Sequence, residues 1–119
     1  MPKKDSKLIT LEKMNNLIFY SLNLLKKFPK SERFDLCNDI KNTLYTILKL
    51  LIYAWKEFKK TEKLKYLNRA DIELQFLKTL ILISYKNKYI TQKNYMVWGN
   101  NISEIGKLVG GWIKSCRNE

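Results

Sequence analysis

Apolar residues recur along this chain at steps of three and four, the period of one face of an α-helix, and nowhere alternate as strands require. Four such stripes are present. The first predicts a helix over residues 10–28, with Leu11, Met14, Leu17, Ile18, Ser21, Leu22, Leu25 and Phe28 on its inner face. Pro29 ends it, because a residue before proline is pushed out of the helical region. The second predicts a helix over 32–60, with Ser31 as N-cap and Glu32 and Asp35 in the first turn, where the helix dipole favours negative charge. Its stripe is Cys37, Ile40, Leu44, Ile47, Leu48, Leu51, Trp55 and Phe58.

The third helix is predicted over 63–88, on the stripe Leu67, Ala70, Leu74, Leu77, Ile81 and Tyr85. Leu80, Leu82 and Ile83 extend the apolar surface around most of its circumference. A helix apolar all round must be covered on more than one side, which in a small bundle points to a subunit contact. The fourth is predicted over 92–114, capped by Thr91, with Met96, Ile102, Ile105, Val109 and Trp112 inward; the Trp98-Gly99-Asn100 stretch weakens its pattern. The linkers are short, so neighbouring helices are expected to be antiparallel. The simplest all-α fold that buries all four stripes is an up-down-up-down four-helix bundle over 10–115, flanked by a basic tail (1–9) and a C-terminal tail (116–119).

Composition changes this picture in one respect. Lys and Arg number 23 against 11 Asp and Glu, for a net charge of +12. Such an excess favours polyanions. In the expected bundle the first and third junctions share one end, and the second junction and both termini share the other. At the first end Lys26, Lys27, Lys30, Arg33, Lys86, Lys88 and Lys93 face Glu32 and Asp35, a surplus of five. At the second, Lys3, Lys4, Lys7, Lys56, Lys59, Lys60, Lys63, Lys65, Arg69, Lys114 and Arg117 face Asp5, Glu57, Glu62 and Glu119, a surplus of seven. The rest cancels, so the whole excess lies at the ends. Exposed helix ends collect lysine for free, and the dipole favours Lys26, Lys27, Lys86 and Lys88 near helix C-termini. It disfavours Lys30, Lys63, Lys65, Arg69 and Lys93, which stand near helix starts. Nucleic-acid contact is therefore expected at Lys26, Lys27, Lys30, Arg33, Lys59, Lys60, Lys63, Lys65, Arg69, Lys86, Lys88 and Lys93.

Candidate chemistry is sparse. The chain has no histidine, which removes the commonest general base and metal ligand. Asp71 and Glu73 fall on divergent helix faces. Cys37 and Cys116 match no metal or redox spacing and read as reduced thiols. No enzyme activity, metal or cofactor is expected. No stretch reaches the length of a membrane span, the N-terminus lacks a secretory pattern, and a cytoplasmic protein is expected. The tyrosines could stack bases; such residues more often pack at core edges. Gly106 and Gly110 share a face, where they could admit another helix closely; alternatively, the helix could fray at Gly110-Gly111.

Three segments carry a resemblance: FPKSERF at 28–34, NRADIEL at 68–74 and EIGKLVGGWIK at 104–114. In this order and spacing they resemble the accessory variability determinant (Avd) proteins of diversity-generating retroelements. The wider relatives are four-helix-bundle proteins encoded in intervening sequences of bacterial large-subunit ribosomal RNA genes. The first segment is shared across the wider group, and the third is closer to the retroelement branch. The resemblance implies a non-catalytic, homopentameric barrel that associates with a reverse transcriptase, template RNA and DNA to support error-prone cDNA synthesis. It also favours close packing at Gly106 and Gly110, beside Trp112. Lysine stands here where many relatives carry arginine, which favours point-charge over bidentate phosphate contacts. Two other functions fit the same residues: a protein of the ribosomal intervening-sequence group, or a purely structural oligomeric scaffold.

Overall fold

The computed structural model describes residues 6–118, which form α1 (Ser6–Leu25), a 3₁₀ turn (Lys30–Glu32), α2 (Leu36–Lys56), α3 (Lys60–Lys86) and α4 (Gln92–Asn118). All described regular structure is helical, and the four long helices pack as a bundle. α2 lies against α3, α3 against α4, and α1 against both α4 and α2. Contacts between α1 and α4 run in opposite senses along the two helices. Lys7 lies near Trp112, Lys13 pairs with Glu104, and Tyr20 and Ser21 reach Asn94 and Trp98.

Each predicted stripe supplies the core. Met14, Ile40, Leu44, Ile47, Leu51, Leu67, Ala70, Leu77, Ile102 and Val109 are fully enclosed. The four buried polar residues Thr10, Ser21, Thr43 and Ser84 each donate a hydroxyl to the carbonyl one turn earlier, so none costs an unmade hydrogen bond. Ser21 does more. Its oxygen, while donating to Leu17, accepts the indole N–H of Trp98 at 2.8 Å. Trp98 has no exposed surface, and Met96, expected inward, is 56 % exposed. The two residues stand on nearly opposite sides of the helix, so only one can face the core. Trp98 completes the run of four- and three-residue steps through Ile102, Ile105, Val109, Trp112 and Cys116, all buried.

The helix boundaries differ from those the sequence predicts. α1 begins at Ser6, so 6–9 of the expected N-terminal tail are helical, and 1–5, with Lys3, Lys4 and Asp5, lie outside the described residues. α4 continues through Gly110 and Gly111 to Asn118, so the glycine pair does not fray, and of the expected C-terminal tail 116–118 is helical while Glu119 lies outside the described residues. α2 starts at Leu36 rather than Glu32. Amide groups of Glu32, Arg33 and Asp35 bond instead to the carbonyls of Pro29, Lys30 and Glu32, in three-residue steps. That tight turn satisfies the donors a cap would serve, so Ser31 is not the N-cap. Thr91 does cap α4, its hydroxyl accepting the amide of Asn94 at 3.0 Å. Phe58, placed in the α2 stripe by its spacing, lies beyond the end of that helix and is 95 % exposed.

Candidate nucleic-acid interface

Proline 29 and the 3₁₀ turn after it set the geometry of one end of the bundle. The turn sends Lys30 and Arg33 outward, beside Lys26 and Lys27 from the last residues before Phe28. Phe28 itself folds inward and its ring packs on Tyr89 at 5.5 Å, tying the first junction to the third. Lys86, Lys88 and Lys93 therefore belong to the same end, and all three are exposed. Among the described residues, none of these seven cations has a carboxylate within 4 Å.

Lys26, Lys30 and Arg33 line a cleft of about 350 Å³ together with Lys41. Lys41 was not among the expected contacts, because charge was assigned by distance along the chain from a junction. Helical side chains lean toward the N-terminus of their helix. Lys41, one turn after Cys37, consequently reaches back into the basic end. Cys37 forms part of the cleft wall, and burial raises its thiol pKa; Lys41 and Arg33 lower it and Glu32 adds to the rise.

Lys88 has an unusual backbone, with φ at 64°. Its amide bonds to Tyr85 and that of Tyr89 to Ser84, the pattern of a Schellman cap, in which the left-handed position is ordinarily glycine. Here a cation occupies it at a cost of about 1 kcal/mol. Lys88→Gly is expected to raise the melting temperature by about 4 °C, read by thermal denaturation, and to weaken polyanion binding. A variant no more stable than the parent would show that the turn carries no strain.

The cations of the second junction are more committed. Lys63 donates to the carbonyl of Ala54 in the last turn of α2 at 3.0 Å, which gives a structural reason for a lysine near a helix start. Lys65 pairs with Glu62 at 3.1 Å. Glu57 accepts the amides of Phe58 and Lys59 and so holds the turn. Lys56 lies over the Trp55 ring at 4.2 Å. Lys59, Lys60 and Arg69 are exposed. Lys63 and Lys65 are thus engaged within the second junction, whereas the seven cations of the first end have no carboxylate within 4 Å among the described residues.

The residues expected to pack between helices or subunits divide. Leu80 and Trp112 are 6 % and 5 % exposed and belong to this chain's own core, where the Trp112 indole nitrogen has no hydrogen-bond partner among the described residues. Leu82 and Ile83 are exposed. Among the described residues nothing lies within 4 Å of a side-chain carbon placed at Gly106 or Gly110, so no described helix approaches them closely. A second apolar stripe, of which only Ile83 is among the expected contacts, faces outward: Ile72 and Phe76 are exposed one turn apart and lead to Ile83 on the same face of α3. On α4, Gly99, Ser103, Gly106 and Gly110 make a stripe of small residues, half-buried or exposed.

Most tyrosines pack as core-edge residues. Tyr85 stacks on Tyr95 at 4.5 Å, Tyr66 packs on the core and carries the exposed Tyr53 ring at 5.2 Å, and Tyr20, its pKa raised by burial, donates to the carbonyl of Asn94. Asp71 is exposed. Among the described residues, no helix is long and apolar enough to cross a membrane and no group of His, Cys, Asp or Glu is placed to hold a metal ion.

A sequence model of the family described as bAvd-like matches residues 8–116. Comparison with curated proteins finds no match. Among solved structures, a crystal structure from Bacteroides thetaiotaomicron superposes with a TM-score of 0.84 at 21 % identity, covering 92 % of this chain and 99 % of the other. That protein is described as being of unknown function and from the S23 ribosomal protein family. The likeness is one of fold.

Proposed function

The chain belongs to the bAvd-like family, and on that premise we propose that it is a non-catalytic accessory protein that binds a reverse transcriptase and its template RNA in the cytoplasm, supporting error-prone cDNA synthesis by a diversity-generating retroelement. The observation that carries the reading is the end built from the first and third junctions, where seven cations stand without a carboxylate partner among the described residues. Like charges gathered in this way repel one another and cost stability unless a polyanion compensates. A phosphate backbone supplies that compensation and is held without its sequence being read.

The bundle is taken as antiparallel and up-down-up-down, a reading supported by the opposed order of the α1–α4 contacts. A homopentameric ring follows from the family resemblance. Two exposed faces support an assembly of copies. Ile72, Phe76 and Ile83 project from α3 over the same length of helix, about 16 Å, that Gly99, Ser103, Gly106 and Gly110 leave open on α4. Exposed apolar side chains on one surface and a row of small residues on another suit a heterologous contact, the kind that closes rings. Five copies would repeat the basic end around one rim.

Two measurements test this. The double variant Ile72→Asp/Phe76→Asp is expected to reduce the mass found by light scattering from about five times that of the 14.2 kDa chain to a single chain, with helicity retained. An unchanged mass would remove α3 from the interface. The intact protein, mixed with the reverse transcriptase and template RNA of its own locus, is expected to co-elute with both. An assembled ring that binds neither would be a structural scaffold.

A further inference from the structure

The basic cleft at the first junction is shaped for more than a passing phosphate. Its floor is apolar, made by Leu22, Leu25, Phe28 and the wall residue Cys37, and its rim carries Lys26, Lys30, Arg33 and Lys41. Its volume of about 350 Å³ sits at the small end of the range for sites that take small molecules. A bare phosphate would leave the apolar floor wet. An apolar ligand would leave four cations crowded and unneutralised. A ligand suited to both surfaces has a flat, weakly polar body attached to a multiply charged anion.

Building on the RNA-binding reading, we propose that this cleft takes one nucleotide unit, its base against Leu22, Leu25 and Phe28 and its phosphate among Lys30, Arg33 and Lys41. Lys27, Lys86, Lys88 and Lys93 continue the positive surface outside the cleft, so a strand can run on past the seated unit. Three side-chain charges reach the Cys37 wall, the positive ones of Lys41 and Arg33 and the opposing one of half-buried Glu32. The cleft therefore stays net positive. The same chemistry is available from a nucleotide within an RNA strand and from a free nucleoside phosphate.

The test uses the intact, isotopically labelled assembly and four probes: adenosine 5′-monophosphate, ribose 5-phosphate, inorganic phosphate and a short single-stranded oligonucleotide. Backbone resonances of Lys26, Lys30, Cys37 and Lys41 are expected to shift with the nucleotide, which should bind about tenfold or more tightly than ribose 5-phosphate because the base is buried. Lys41→Ala should weaken the nucleotide and leave the fold intact. Equal affinity for the nucleotide and ribose 5-phosphate, or shifts spread evenly over all exposed lysines, would overturn the proposal. An oligonucleotide that displaces the monophosphate and binds tighter identifies the strand as the source. One that leaves the monophosphate in place identifies the free nucleotide. RNA bound with a steep salt dependence but without perturbing Cys37 or Lys41 would sink the cleft and leave the RNA reading standing. Monophosphate bound in the cleft of a protein with no RNA affinity would do the reverse.

Discussion

Replacing Lys26, Lys30 and Arg33 together with glutamate is expected to weaken RNA binding roughly 100-fold at moderate salt, from about 1 kcal/mol per lost phosphate contact. The slope of log affinity against log salt should fall by about 2, because three counterions fewer are released on a single strand. All three side chains are exposed and lie outside the core, so the variant should fold and assemble normally. The same reversal at Lys59, Lys63 and Lys65 is expected to cost less. Lys63 and Lys65 already serve Ala54 and Glu62, and the Lys63 change should instead cost some stability. Filter binding or fluorescence anisotropy ranks the two ends. Equal and negligible losses from both would remove the interface.

The second large effect is on the fold. Trp98→Ala should destabilise the bundle by about 3–5 kcal/mol, a drop of some 12–20 °C in melting temperature. The change empties the largest fully enclosed side-chain volume in the core. It also takes from Ser21 the N–H that its oxygen accepts between α4 and α1. Trp98→Phe separates the two contributions: the ring volume is mostly kept, the hydrogen bond lost, and a smaller cost of about 1–2 kcal/mol is expected. A Trp98→Ala protein melting within a few degrees of the parent would mean that the indole is not the tie between these helices.

Trp98 shows where periodicity reaches its limit. The steps through Ile102, Ile105, Val109 and Trp112 extend backward to Trp98 without a break, yet Met96 offered a competing start and Gly99-Asn100 looked like an interruption. Only packing decides between the two, and the hydrogen bond to Ser21 accounts for the outcome. Ser21 itself was placed on the inner stripe by spacing alone, and it is fully buried. The four helices were legible because each stripe is long. Their ends were not, because capping is local. Pro29 bars a helix from running through the junction, yet α1 already ends at Leu25 rather than Phe28, and a chain that bonds in three-residue steps over 29–35 leaves no sequence mark distinct from that of a capped helix. The interface was legible as a surplus of charge and blurred as a set of residues. Lys41 joins it through the lean of a helical side chain, and Lys63 partly leaves it by reaching across a junction. The stripe of Ile72, Phe76 and Ile83 is present in the spacing, but the longer run of Leu74, Leu77 and Ile81 on the opposite side of the helix dominates the pattern.

The wider account stands on electrostatics, so the most direct test is a salt titration of the unmodified protein against single-stranded RNA. Log affinity is expected to fall linearly with log salt, steeply enough that binding measured near 50 mM is lost by orders of magnitude near 200 mM. Affinity that stays flat across that range would mean that no phosphate backbone neutralises the basic end, and the assigned role would be wrong.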